Sequence, residues 1–354
     1  RLGPLYDKLG RHSEKLQLLA AEAETTKDPE RAFGTLLEVA RIQEEKFNNI
    51  DAAVDCYFRV LDRDPRHTVA LKKLDVLLAQ HQKWERLVDL LGRKAAFTDN
   101  TAEKVELFLR AAQLMVERVN QPDQAVGVIH SLLRLAPTHQ PAINLLAELH
   151  DKAGRPAEAA QAYSMLLQLM TEPGQALSAA GVHRRVAQLY RGLGDVTRAA
   201  QHYGAALAAQ PQDMELAREL TELYVSQRAW QQAAEMLAAM ADRDPDTNAR
   251  VGHLLRLAQT MEEGFQDPAR AMDAYRKVLE FKPDHGPAMD KMVELGEKLN
   301  DVAGLQQAYL AMVATTAKTD RPRLAALHLR LALLYLHRMN MPDKGMTELK
   351  LAVD

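Results

Sequence analysis

The residues of this chain whose types could do chemistry are twelve histidines, one cysteine and a closely spaced glycine pair, Gly192-Leu193-Gly194. A glycine-rich loop cradles phosphate where it leaves a strand and opens a helix, with its backbone N–H groups turned toward the anion. Here helical periodicity flanks the pair on both sides, so it reads as the turn between two helices. His139 and His150 stand at opposite ends of one predicted helix, roughly 16 Å apart by the helical rise, and cannot share a metal. His81, Trp84 and Glu85 fall at a turn, where Trp84, like Trp230, suits packing between helices. Cys56 has no second thiol, which excludes a disulfide framework and a multi-cysteine metal site; it reads as a small core residue. The methionines of MDKM (289–292) and MNMPDKGM (339–346) suit an adaptable core better than a soft-metal site. No H-E-x-x-H, phosphate-loop or G-x-S-x-G pattern occurs. The expectation is a protein with no cofactor and no metal that is not an enzyme.

Composition sets the wider bounds. Of 354 residues, 47% are hydrophobic, enough to bury a core and to exclude global disorder. Aromatics at 5%, with 17 glycines and 15 prolines, argue against a β-rich fold. The 45 basic and 48 acidic side chains leave a net charge of -3, which calls for neither nucleic acid nor an anionic membrane. No apolar run approaches the ~18–20 residues that span a bilayer, so direct membrane insertion is not expected. The opening at Arg1 reads as a slice of a longer or processed protein. The compartment is not specified, the cytoplasm being the default, and the Ala- and Gln-rich texture of 157–241 has a bacterial look.

The elements that must position any surface site are clearest between Ala180 and Pro211, AGVHRRVAQLYRGLGDVTRAAQHYGAALAAQP. Val186, Leu189 and Tyr190 give one helix an apolar stripe at i, i+3, i+4 spacing. Gly194-Asp195 ends it, and a second helix lines up Ala199, Tyr203, Ala206 and Leu207 before Pro211. This segment resembles a tetratricopeptide repeat, whose 34-residue pattern has a small residue at position 8 (Ala187), Tyr at 11 (Tyr190) and Gly at 15 (Gly194). It continues with Ala at 20 (Ala199), an aromatic at 24 (Tyr203), Ala at 27 (Ala206) and Pro at 32 (Pro211).

The position-20 column can be followed down the chain as Lys15, Ala53, Leu87, Ala125, Ala159, Ala199, Ala233, Ala271, Leu305 and Gly345. Successive members lie 38, 34, 38, 34, 40, 34, 38, 34 and 40 residues apart, so repeats of the 34-residue period alternate with longer ones. Pro65, Pro137, Pro211, Pro245 and Pro283 close second helices, while Pro122, Pro156, Pro268 and Pro342 fall in the first turn of second helices, where proline is tolerated. Asp267 and Asp28 stand in front of Pro268 and Pro29 as N-caps. The polar joints AETTKDPE, FTDNTAEK, MTEPGQALS and TTAKTDRPR either lengthen the connections or extend the flanking helices.

The resemblance implies an all-α, right-handed α-solenoid, a superhelix of about nine and a half helix pairs in a single array over 1–354. A truncated first repeat (1–29) precedes repeats at 30–67, 68–101, 102–139, 140–175, 176–213, 214–247, 248–285, 286–321 and 322–354. The array is expected to continue past at least one end, or else an exposed end packs on another copy.

In this family positions 2, 5, 6, 9, 12 and 13 of each first helix face a concave groove. The resemblance therefore implies partner-binding roles for Lys72, Lys73, Arg110, Asn144, Arg184, Arg185, Arg218 and Arg256 in a basic middle stretch, with Gln188 beside them. Val39, Ile42, Val76 and Leu114 would make the N-terminal groove more apolar. The basic ridge suits an acidic or C-terminal peptide; the competing reading is a solvated face balanced by Glu148, Glu222 and Glu294. Position 9 carries no asparagine, which disfavours the carboxylate clamp of chaperone adaptors. The expected function is a non-enzymatic protein–protein interaction scaffold that takes a protein or peptide, possibly acidic. The alternatives are a substrate-recruiting arm of a larger enzyme, such as a glycosyltransferase or kinase, and a structural array that self-associates end to end.

Overall fold

Every second helix of this chain begins two residues after a backbone that turns left-handed. In the computed structural model, which describes residues 5–6, 9–26 and 28–353, these second helices are α1 (His12–Thr25), α3 (Ile50–Arg63), α5 (Trp84–Phe97), α7 (Pro122–Leu135), α9 (Pro156–Leu169), α11 (Val196–Ala209), α13 (Trp230–Arg243), α15 (Pro268–Phe281), α17 (Val302–Thr315) and α19 (Pro342–Val353). The left-handed residues are Gly10, Asn48, Gln82, Asn120, Gly154, Gly194, Arg228, Gln266, Asn300 and Asn340, one before each. Each stands five residues ahead of a member of the position-20 column.

First helices alternate with these: α2 (Pro29–Glu45), α4 (Thr68–Gln80), α6 (Thr101–Leu114), α8 (Gln140–Lys152), α10 (Ala176–Gly192), α12 (Met214–Ser226), α14 (Thr247–Glu263), α16 (Gly286–Leu299) and α18 (Arg321–Leu333). The result is an all-α solenoid of nineteen α-helices with no strand among the described residues. It divides into two compact units, Arg1–Met170 and Thr171–Asp354. Within each unit a helix packs on the next in the chain.

The column is the seam of each helix pair. Its alanines at 53, 125, 159, 199, 233 and 271 are fully buried, as is Leu305. A small side chain there lets two helix axes close up, and the void beside it is filled by side chains such as Tyr203, also fully buried. Lys15 is the exception in type but not in burial, and its ammonium is met by Glu38 at 2.9 Å. The tryptophans pack at turns: the ring of Trp230 lies against the backbone of Gly264, where a Cβ would collide with it.

The longer repeats differ in two places. The turns that follow α4, α8, α10, α12 and α16 are tight, with an amide bonded to the carbonyl five residues back, as in Lys83 to Leu78 (2.9 Å) and Asp195 to Tyr190 (2.9 Å). Those that close the pairs α2–α3, α6–α7, α14–α15 and α18–α19 reach six residues back: Asn49 to Gln43 (2.8 Å), Gln121 to Met115 (2.8 Å), Asp267 to Met261 (3.0 Å) and Met341 to Tyr335 (2.8 Å). In two of them the extra residue widens the helix end into a π-turn, Met115–Val119 and Leu334–Arg338. The remaining residues start the first helix one turn earlier: α2 and α14 have 17 residues where α4, α8 and α12 have 13. The polar joints thus extend the helices.

One extra residue in the turn rotates the first helix by about 100° relative to the sequence count. In α4, α8 and α12 the buried pair at positions 7 and 10 is Leu74/Leu77, Leu146/Leu149 and Leu220/Leu223. In α2, α14 and α18 the burial moves to positions 6 and 9, Val39/Ile42, Leu257/Thr260 and Leu331/Leu334.

The tight joints use a second repeated device. His67, His139 and His285 are N-caps, their Nδ1 atoms accepting from the amides of Ala70, Ala142 and Ala288 at 3.2–3.3 Å. Asp213 does the same work at the fourth such joint, accepting from Glu215 and Leu216 at 3.0 Å. Three of the twelve histidines are therefore helix caps.

Candidate functional surfaces

The outward side of the first helices is where the sequence reading placed a partner, and the rotation just described changes its membership. Val39 and Ile42 are each only 4% exposed and belong to the core of unit 1, so they cannot line an accessible groove. Leu114 is half-buried against the same core. The assignments of Val39 and Ile42 are corrected because the wide turn has rotated α2. In α2 the outward places fall instead on Leu37, Glu38 and Arg41, none of which is buried.

The helix α4, with its tight turn, keeps the expected register. Val69 and Val76 are 51% and 52% exposed and bracket the exposed Lys72 and Lys73, a set at i, i+3, i+4, i+7 on one helix face. Lys73 reaches Glu44 of α2 at 3.5 Å, and that carboxylate also accepts from the hydroxyl of Tyr57 at 3.5 Å. The same triad recurs in unit 2, where Glu262 joins Lys291 (3.2 Å) and the Tyr275 hydroxyl (2.7 Å). Burial and the adjacent Glu44 push the Tyr57 hydroxyl up to about 12. Lys72 makes no ion pair among the described residues.

Most of the other cations are drawn into polar contacts. Arg110 lies 4.0 Å from Asp75, which also binds Lys94. Asn144 donates to Glu148 at 2.7 Å, and Arg185 to Gln188 at 3.0 Å. Arg184 meets Glu215 (2.7 Å), Glu219 (3.7 Å) and Asp213 (4.0 Å) of the neighbouring first helix and its cap. Glu222 bridges Arg191 at 3.6 Å and Arg256 at 4.0 Å, and Lys291 joins Glu294 at 3.2 Å. Arg218 is exposed and contributes to the positive field at Asp244. The first-helix face of unit 2 is thus a ladder of opposite charges in which Glu222 and Glu294 take the balancing role considered above.

A histidine pair escaped the sequence reading because its members are 19 residues apart on different helices. His183 of α10 and His202 of α11 bring their Nδ1 atoms to 2.9 Å, and Tyr190 stacks on His202 with centroids 5.7 Å apart. One nitrogen must donate and the other accept, so the pair holds one shared proton and a second breaks it. Burial holds both imidazoles below their usual range, His183 adds to this for His202, and burial does the same for His150. The unfolded chain takes up protons at these groups first, as the pH drops through about 6.5. Their contribution to stability is therefore complete above that value and lost as the pH falls below it. Urea midpoints should drop between about pH 7.5 and about pH 5.5, and His183→Gln with His202→Gln should flatten that slope. An equal slope in the double variant would discard the pair as its origin.

Residues 190–258, 117–171 and 254–285 each match a model of the tetratricopeptide repeat. Solved structures similar to this chain include YrrB, described as a TPR protein with an unusual peptide-binding site, at 16% identity and a TM-score of 0.36 over 52% of this chain and 89% of that one. Another is a tetratricopeptide repeat protein from Parabacteroides merdae, at 14% identity and a TM-score of 0.32 over 74% of this chain and 98% of that one. A third is the C-terminal part of a TPR repeat-containing protein from Cytophaga hutchinsonii, at 15% identity and a TM-score of 0.34 over 70% and 95%. No curated protein matches the sequence. The three matches fall on paired helices joined through a left-handed residue, so the chain carries tetratricopeptide repeats over residues 117–171 and 190–285.

Proposed function

We propose that this chain is a non-enzymatic protein-interaction scaffold, and that its docking face is the outward side of α4. The occupant is an acidic segment with apolar residues spaced to meet two valines. The observation that carries this reading is the exposure of Val69 and Val76 on either side of the exposed Lys72, which makes no ion pair among the described residues. β-Branched side chains left half in water two turns apart gain by being covered, at about 25 cal/mol per Å² of apolar surface. Lys72 adds a charge that steers an acidic partner and fixes its register. Arg184 is a poorer anchor, because three carboxylates already hold it.

The test compares the proteins captured by the intact chain with those captured by Lys72→Glu and Val76→Asp variants. A true partner should bind each variant at least about tenfold more weakly, carry an acidic stretch, and bind the parent less tightly as salt rises. Partners retained by both variants at unchanged affinity would move the docking face elsewhere.

A further inference from the structure

A groove of about 440 Å³ lies between α11 and α13, floored by Leu220 and Tyr224 of α12. The repeat register explains why it is open. Between α3 and α5 the corresponding place is filled by Phe58, only 5% exposed. Its ring is covered by the guanidinium groups of Arg86 (5.6 Å) and Arg93 (5.0 Å). Those arginines are tied back to α3 through Asp55 (3.0 Å) and Asp62 (2.6 Å). Counting on by 146 residues turns Phe58, Asp62, Arg86 and Arg93 into Gly204, Ala208, Gln232 and Ala239, and all four line the groove. The ring, both cations that cover it and the two α3 counter-ions, with Gln201 and Ala208 in place of Asp55 and Asp62, are missing together. A Cβ built on Gly204 would meet nothing within 4 Å.

The same substitution leaves a charge behind. In α5, Asp89 is neutralised by Arg93 at 3.1 Å. Its counterpart in α13 is Glu235, which stands at the edge of the groove. With Ala239 in place of the arginine, its hydrogen-bond donor is the neutral amide of Gln231, at 2.6 Å. Arg243 also lines the groove but donates to the carbonyl of Pro211 at 3.2 Å, and Glu235 makes no ion pair among the described residues, so a largely apolar slot beside that carboxylate asks for a ring and a cation.

We propose that the α11–α13 groove takes an aromatic side chain from a protein segment that carries a lysine or arginine next to it. The ring lies over Gly204 on Leu207, Tyr224 and Met236, and the cation pairs with Glu235. The pairing rebuilds between two molecules what Phe58, Arg93 and Asp89 make within unit 1. This site is separate from the α4 face, and the two proposals stand or fall independently.

The probe is the capped dipeptide acetyl-Phe-Lys-amide, titrated into the full chain with methyl resonances of Leu207 and Met236 observed by NMR. Saturable shifts are expected, with binding at least about tenfold weaker for acetyl-Ala-Lys-amide and acetyl-Phe-Glu-amide. Gly204→Phe should plug the groove, and Ala239→Arg should restore the internal partner of Glu235; each should weaken the dipeptide at least about tenfold. Ala239→Arg alters only a half-buried position, and its thermal melt checks the fold should Gly204→Phe disturb it. Absence of saturation, equal binding of either control peptide, or unchanged binding by a folded Ala239→Arg variant would overturn the proposal. So would shifts of the same methyls driven by protein concentration alone, which would assign the groove to a second copy.

Discussion

Ile42→Asp is expected to cost about 4 kcal/mol or more, whereas Val76→Asp should change stability by no more than about 0.5 kcal/mol. The two residues are 34 apart in the sequence and occupy the same nominal place in consecutive repeats. Ile42 is 4% exposed in α2, so a carboxylate there loses its water, and the buried cation of that unit, Lys15, is already held by Glu38. Val76 is 52% exposed in α4 and would place its carboxylate in solvent, close to Lys72 and Lys73. Because each repeat leans chiefly on its neighbours, the damage from Ile42→Asp should begin around α2 and α3 and spread through unit 1. Hydrogen exchange would see it as lost protection there, and denaturant midpoints would give the two costs. Similar costs for both variants would mean that the wide turn does not rotate α2.

That contrast marks where the sequence stopped being legible. The column could be read because its cause is local: a close helix pair favours a small residue at one place, seven of the ten members are Ala or Gly, and all ten are buried. The rotation could not be read from spacing. The 38-residue intervals are visible, but one of their added residues sits in the turn inside the pair and the others in the first helix. The 40-residue step from Ala159 to Ala199 shows the ambiguity, because its turn at Gly194 stays tight. Residue type at the left-handed position does not separate the classes either: asparagine serves a tight turn at Asn300 and a wide one at Asn120. Helix-face charges were legible individually, while their pairing depends on which neighbouring helix each meets, as Arg184 with Glu215 illustrates. The α11–α13 groove was hidden for a different reason, since it is made by side chains that are missing.

Replacing Gln82, Arg228 and Gln266 together by glycine should stabilise the chain by roughly 1.5–3 kcal/mol, about 0.5–1 kcal/mol each. Their φ values are 54°, 57° and 53°, in the left-handed region where a Cβ crowds the following carbonyl oxygen. Seven of the ten such positions already carry glycine or asparagine, the residues that tolerate this conformation best. Glycine raises the entropy of the unfolded chain, which offsets part of the gain and sets the lower figure. All three side chains are exposed and none makes an ion pair among the described residues, so little contact is lost with them. The sites lie in three different turns, and their effects should add within a few tenths of a kcal/mol. Gly194→Gln, at φ 79°, should act in the opposite direction by a comparable amount. Denaturant midpoints for the single and triple variants measure these changes, with the same variants checked for capture of any partner of α4. A triple variant no more stable than its parent would show that these turns relax away from the left-handed form, and the common geometry of all ten turns would then fail with it.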